Sequence, residues 1–213
     1  KLLPLEGNFD PVLKRGEHLN AEDWNKIISE SDTIVIDVRN DYETDIGTFK
    51  NSIIPEMKDF TEFPDFVDGL KEDKKAKIAM FCTGGIRCEI ASSFMMEKGF
   101  DEVYQLEGGV LNYLDTVNKE ESLWEGECFV FDERVSLDNS LNKGKYVQCF
   151  GCRRPLSDKD LKSQHYLKGV SCSYCFDVSS EFDKERFAQR QKQIELAEAR
   201  GHKHMGAMAK QKK

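Results

Sequence analysis

A buried strand that ends in a cysteine, crosses two glycines and enters a helix leaves few folds open to a chain. Here Lys77-Ile78-Ala79-Met80-Phe81 is an apolar, strand-like run. Cys82-Thr83-Gly84-Gly85-Ile86-Arg87-Cys88-Glu89 follows it into a helical pattern over residues 87–98. Glycines at 84 and 85 let backbone N–H groups turn toward one point. The helix start adds unpaired N–H groups and a partial positive charge, and Arg87 adds a permanent cation. The stretch therefore predicts an anion cradle formed by Thr83, Gly84, Gly85 and Ile86, with Cys82 as its occupant. A thiolate or persulfide there would be a nucleophile of lowered pKa, with Arg87 neutralising it. The plainer alternative is a buried cysteine before an ordinary strand–helix turn.

The rest of the chain gives that stretch a setting. Residues 1–17 read as an irregular lead-in punctuated by Pro4, Gly7, Pro11 and Gly16. Asn20 is an N-cap, and Trp24, Ile27 and Ile28 share the inner face of a helix. Thr33-Ile34-Val35-Ile36-Asp37 is a β-branched strand from which Asp37 and Arg39 emerge at the sheet's functional edge. Asn40 to Thr48 reads as a polar loop turning at Gly47, and Asn51–Pro55 as a short strand. Residues 56–76 read as a short helix or a covering loop. Glu102–Leu106 is a strand that turns at Glu107-Gly108-Gly109 into a helix carrying Val110, Leu111 and Leu114. Strands alternating with helices imply an α/β fold, a mostly parallel sheet with helices on both faces. Cys128-Phe129-Val130-Phe131 is strand-like, and Asp132–Val135 reads as its continuation. A charged helix over Ser180–Arg200 and a lysine-rich tail close the chain.

Totals bound the rest. The 213 residues allow one ordinary domain plus an appendage, no run is apolar enough to span a membrane, and no signal peptide opens the chain. The chain also lacks an initiator methionine, so it is expected to begin inside a longer protein. A net charge of −8 argues against broad nonspecific nucleic-acid binding without excluding a local basic surface. Seven cysteines, grouped as they are, suit metal binding and thiol chemistry in a reducing cytoplasm better than disulfides. Cys149-x-x-Cys152 and Cys172-x-x-Cys175 enclose residues 153–171. A separation of about 15–20 residues is the zinc-ribbon range, so these four thiolates are expected to hold a structural zinc. The alternative is four reduced cysteines packed in a small lobe. Tyr146, Phe150, Tyr166, Tyr174 and Phe176 flank the pairs and are read as core, with base stacking as the alternative. Cys88 is read as a small buried helix residue, with a resolving thiol as the alternative. Glu43 and Glu89 are read as solvated side chains or general bases.

Three motifs in order, Asp37-Val38-Arg39, Cys82 to Arg87, and Leu106-Glu107-Gly108-Gly109, resemble the rhodanese domain, whose loop cysteine carries a persulfide. The longer string Cys82 to Glu89, with Phe129-Val130-Phe131-Asp132-Glu133-Arg134 and the cysteine-rich tail, resembles a narrower family. These are the bacterial rhodanese-domain proteins that are tRNA uridine-34 hydroxylases. The resemblance runs from about residue 18 to the end. It implies a cytoplasmic oxidoreductase of tRNA modification that forms 5-hydroxyuridine at the wobble position. Molecular oxygen would be the cosubstrate and tRNA the partner, with Cys82 as the active-site residue. The resemblance also implies a further small α/β domain before residue 1. From the residues themselves, Arg87 is placed beside Cys82 with Asp37, Arg39 and Cys88 in support; Asp37 and Arg39 are read as orienting the cradle or pairing with each other, with a structural pair and a substrate contact equally open. The domains then read as a lead-in at 1–17, a rhodanese-like domain at 18–120, a cysteine-rich lobe at 121–176 and a terminal helix and tail at 177–213. No flavin, haem or iron motif is visible. The wider family has Gly-His-hydrophobic where this chain has Gly47-Thr48-Phe49, so no role is carried over from that histidine. Cysteine phosphatases on a similar cradle use C-x5-R; C-x4-R here leaves room for one outer sulfur. The cradle alone would equally predict a sulfurtransferase passing persulfide sulfur to a thiol or cyanide, and a noncatalytic rhodanese module is the third reading. Oligomeric state is left open by the sequence.

Overall fold

The structure is a computed structural model that describes residues 14–71 and 73–201. The lysines and histidines of the tail, and most of the lead-in, lie outside the described residues. The chain divides into two compact units, Lys1–Gly144 and Lys145–Lys213.

The first unit is built on a four-stranded parallel sheet, as the alternating pattern predicts. Its strands are β1 (Glu17–Leu19), β2 (Thr33–Asp37), β4 (Lys77–Phe81) and β5 (Val103–Leu106), in the order β1-β5-β4-β2. Between them run α1 (Ala21–Ile28), α2 (Asp41–Thr44), β3 (Gly47–Phe49), α3 (Phe63–Gly69) and α4 (Ile86–Glu97); α5 (Gly109–Thr116) follows β5. Asn20 caps α1 by accepting the Asp23 N–H at 2.9 Å. Gly99 closes the end of α4 with φ +91°, a conformation that favours glycine.

Strand periodicity assigns each face its core. From central β4, Ile78 and Met80 point to one side, where Phe63, Val67, Ala91, Phe94 and Met95 of α3 and α4 cover them. Ala79 and Phe81 point to the other, against Trp24, Val110, Tyr113 and Leu114 of α1 and α5. Burying an aliphatic or aromatic side chain of this kind contributes about 1.5–3 kcal/mol. These two layers therefore hold the sheet, and β4 delivers Cys82 at its end.

Three local expectations need correction. Asn40–Thr48 is not a plain loop: α2 forms a turn of helix, and Gly47 lies in β3, antiparallel to β6 (Trp124–Gly126). A side chain at 47 would come within 2.5 Å of the Glu127 carbonyl, so this glycine serves close packing rather than a turn. The expected strand at Asn51–Pro55 reduces to a single parallel bridge, Ile36 with Ile53. Asp132–Val135 does not continue the strand β7 (Cys128–Phe129); it turns the chain into β8 (Ser136–Leu137). The turn is set by Asp132, whose carboxylate accepts the Arg134 N–H at 2.9 Å, and by Val135 at φ +69°.

The second unit has little regular structure: β9 (Val147–Gln148) pairs with β10 (Pro155–Leu156), and α6 (Glu181–Ala199) begins at its N-cap Ser180. No residue of α6 is buried. Among the described residues, no helix is long and apolar enough to cross a membrane.

Candidate active site

Cys82 sits where β4 ends, and its side chain is buried. The loop then turns through Gly85, at φ +84°, into α4. Gly85 donates its N–H to Cys82 Sγ at 3.1 Å. The Cys88 thiol, one helical turn on, has the largest effect on Cys82 and lowers its pKa. Burial opposes this; the Arg87 charge and the N–H groups of Cys88 and Arg87 add to it, leaving the pKa at about 6. Cys82 is therefore largely a thiolate at neutral pH. Burial, followed by the neighbouring Cys82 sulfur, pushes Cys88 well above its usual range, so it keeps the proton it shares.

Arg87 acts on the sulfur through its field. Its guanidinium is clamped by Glu43, with Nη1 to Oε2 at 2.6 Å and Nη2 to Oε1 at 2.7 Å. Burial disfavours the Arg87 charge; the Glu43 hydrogen bonds more than restore it and raise the pKa. Thr83 turns its hydroxyl to Glu43 as well, at 2.9 Å, rather than toward the sulfur. Glu43 is fully buried, not solvated, because α2 turns it inward onto Arg87 and Thr83. A local signal for its position exists: Glu43 stands three residues after Asn40, the N-cap of α2, and the Asn40 N–H donates to Glu43 Oε2 at 3.3 Å. Glu89 is instead a surface residue, ion-paired with Arg15 at 3.2 Å and His18 at 2.6 Å.

Asp37 and Arg39 form the mutual pair that is one of their two readings, and both side chains are fully buried rather than emerging at the sheet edge. Arg39 Nε and Nη2 donate to Asp37 at 2.9 and 2.6 Å, and Nη2 also donates to the Gly47 carbonyl at 2.6 Å. The guanidinium carbon lies 4.9 Å from the Trp124 ring centre. Thr48, at the position where the wider family has histidine, donates its hydroxyl to Asp37 at 2.8 Å. This network fixes the segment that carries Glu43, and through it Arg87.

Helix α5 holds the loop from the other side. Val110 N–H donates to the Cys82 carbonyl at 2.9 Å and Leu111 N–H to the Thr83 carbonyl at 3.1 Å. A side chain on Gly109 would come within 2.4 Å of the Cys82 oxygen and 2.6 Å of the Gly85 nitrogen. The sequence predicts a turn at Gly109; its closeness to the cradle is a tertiary contact that no local pattern announces. Cys128 is also buried, and burial pushes its thiol up to about 12, so it stays neutral.

The second cluster is a candidate metal centre. The sulfurs of Cys149, Cys152, Cys172 and Cys175 all lie within 4.8 Å of one another. Three of the separations are 3.9, 3.7 and 3.8 Å. A tetrahedron with metal–sulfur bonds of about 2.3 Å has sulfurs about 3.8 Å apart, so the four can hold a metal ion. Each C-x-x-C forms a tight knuckle: Arg153 N–H returns to the Cys149 carbonyl at 2.7 Å, and Phe176 N–H to the Cys172 carbonyl at 2.9 Å. The buried cluster of this unit is Cys149, Leu156, Cys172 and Cys175, with Leu161 and Tyr166 packed against it. Hydrogen bonding with Cys152 holds Cys149 down at about 5 and drives Cys152 up, so the two thiols share a proton.

Comparison with known proteins finds similarity in the first unit. Residues 20–116 match the family model described as rhodanese-like domain. Among solved structures, a rhodanese-related protein from Thermoplasma volcanium is similar at 26% identity, over 46% of this chain and 91% of its own, with a TM-score of 0.40. The rhodanese-like domain of an Anabaena protein is 18% identical over 51% and 78%, with a TM-score of 0.42. A rhodanese-like domain protein from Staphylococcus aureus is 21% identical over 46% and 90%, with a TM-score of 0.38.

Proposed function

We propose, taking residues 20–116 as the rhodanese-like domain they match, that the protein modifies tRNA through a persulfide on Cys82. The reaction is oxygen-dependent hydroxylation of wobble uridine 34 to 5-hydroxyuridine, in which one oxygen atom enters C5 and a thiol-class reductant supplies the two electrons that turn the other into water. The observation that carries the sulfur chemistry is the setting of Cys82, whose sulfur accepts the Gly85 N–H at 3.1 Å beside the Cys88 thiol and Arg87; this setting lowers its pKa to about 6, while burial pushes Cys88 and Cys128 up. Three buried cysteines therefore present one nucleophile. The extension from that sulfur to a tRNA base is supported by the motif string Cys82 to Glu89 and by the four-cysteine lobe.

Within this reading Cys82 carries the sulfur. The Gly85 N–H and the Cys88 thiol hold its anion, and Arg87, set by Glu43, supplies positive potential. Asp37, Arg39 and Thr48 position that pair. Cys149, Cys152, Cys172 and Cys175 would hold a structural zinc, whose role is to complete the lobe rather than to react. The test is deletion of the gene, with mass spectrometry of wobble uridines in bulk tRNA. Loss of 5-hydroxyuridine, restored by the wild-type gene and not by Cys82→Ser, is expected. Unchanged 5-hydroxyuridine in the deletion strain overturns the reading.

The cradle also favours a second reading, a sulfurtransferase. An acceptor thiolate or cyanide attacks the outer sulfur, the S–S bond breaks, and its electron pair returns to Cys82 as the stabilised thiolate. Turnover of thiosulfate and cyanide by the purified chain, with tRNA unaltered in the deletion strain, would select it.

A further inference from the structure

The lobe does more than enclose its cysteines. Charge is divided unevenly along the chain: residues 1–144 hold 16 lysines and arginines against 31 acidic residues, and residues 145–213 hold 15 against 8. Each knuckle presents an aromatic ring between its cysteines. Phe150 is 50% exposed and Tyr174 is 48% exposed, so neither is core. Each ring has an arginine beside it, Arg153 at 5.7 Å from Phe150 and Arg154 at 5.2 Å from Tyr174.

More cations converge on the first knuckle. Arg190 donates to the carbonyls of Phe150 at 2.7 Å and Gly169 at 3.0 Å, which anchors its guanidinium there. Arg186 and Arg190 both lie against the Phe187 ring, at 5.2 and 4.9 Å from its centre, so the two guanidiniums gather on one side of the lobe. Arg186 is paired with Asp183 at 2.8 Å, whereas Arg153 donates to Gln148 at 3.1 Å, a neutral partner. An acidic chain that gathers arginines around exposed rings has a surface suited to a polyanion with flat faces.

We infer that this lobe is a binding surface for single-stranded RNA. Unpaired bases stack on Phe150 and Tyr174, and Arg153, Arg186 and Arg190 meet the phosphates. Duplex RNA keeps its bases stacked inside and offers those rings nothing, so loops and unpaired ends are the favoured ligand. The choice of RNA as the polyanion rests on the tRNA reading above; an acidic protein segment is the competing occupant.

The test is fluorescence anisotropy with the full chain and a labelled, unstructured RNA of roughly twelve nucleotides, within the usual site size for such surfaces. Binding is expected to weaken steeply between about 50 and 200 mM salt. Phe150→Leu and Tyr174→Leu should each weaken it about tenfold at fixed salt, while Phe150→Tyr retains affinity. Arg153→Gln should flatten the logarithmic salt dependence by about 0.7. Zinc content and circular dichroism check that each variant is folded. Absence of binding at low salt, equal binding by the leucine variants, or displacement of RNA by polyglutamate as readily as by unlabelled RNA would overturn the inference. The readout is binding alone. A chain that binds RNA in this way while wobble uridines stay unchanged in the deletion strain keeps this inference and loses the hydroxylase reading. Wild-type binding by the leucine variants, with 5-hydroxyuridine lost on deletion, does the reverse.

Discussion

Cys82 and the four lobe cysteines hold the same atom in two ways. Around Cys82 the protein supplies every stabilising partner itself: the Gly85 N–H, the Cys88 thiol and the field of Arg87. The arrangement is complete with one sulfur charged and the others neutral. In the lobe, four sulfurs lie within 4.8 Å of one another, and their negative charge can be developed together only against an added cation. A sulfur surrounded by donors is prepared to react, whereas sulfurs surrounded by sulfurs are prepared to bind.

That contrast can be broken by experiment, and the largest effect is expected in the lobe. On the proposed zinc site, chelation or Cys172→Ser should strip the metal and unfold residues 145–201, because structural zinc sites contribute on the order of 10 kcal/mol to such folds. Limited proteolysis with metal analysis reads this; the sheet unit should survive intact. A lobe equally resistant to protease after chelation would show that the sulfurs need no cation.

Glu43→Ala comes next. It leaves the largely buried Arg87 without its carboxylate and should cost about 3–5 kcal/mol, seen as a lower unfolding temperature. A change below 1 kcal/mol, on the scale of exposed pairs, would show that the cradle does not depend on this clamp. Gly109→Ala should cost about 1–3 kcal/mol, because residue 109 combines φ +67° with contact against the Cys82 loop. It should also slow reaction at Cys82 while leaving metal content unchanged.

The smallest effect is the most specific. Thiolate forms as pH rises, so persulfide formation from thiosulfate should climb through about pH 6 and level off above it, following the Cys82 pKa. Cys88→Ala removes the donor with the largest effect on that pKa, so the midpoint should move to higher pH. At pH 6 the rate should fall by up to about tenfold for each unit of that displacement. Cys88→Ser keeps a donor and should stay near wild type. Coincident profiles for the alanine variant and wild type would mean that the backbone N–H groups suffice alone.

Much of this was legible in the sequence where one element carried its own signal. The apolar run before Cys82, the glycines after it and the N-cap Asn20 each specify local structure, and β2, β4, α1 and α4 follow from them. The knuckle spacing likewise brought the four cysteines together. What stayed hidden depends on contacts between distant segments. Glu43 looks like any acidic residue until α2 turns it inward to Arg87, 44 positions away. Asp37 and Arg39 look like edge residues until β3 and Trp124 cover them. The arginines beside the lobe's rings come from positions as far apart as 153 and 190, so their convergence has no linear signature.

One feature of the loop reaches further than stability. Its carbonyls at Cys82 and Thr83 belong to the start of α5, and its sulfur belongs to the start of α4. Two helices thus grip a four-residue span from opposite sides, with Gly109 seated so closely that one methyl group would not fit. Cys82 is therefore seated by two helices at once, so a change at the start of either one is passed directly to the reactive sulfur.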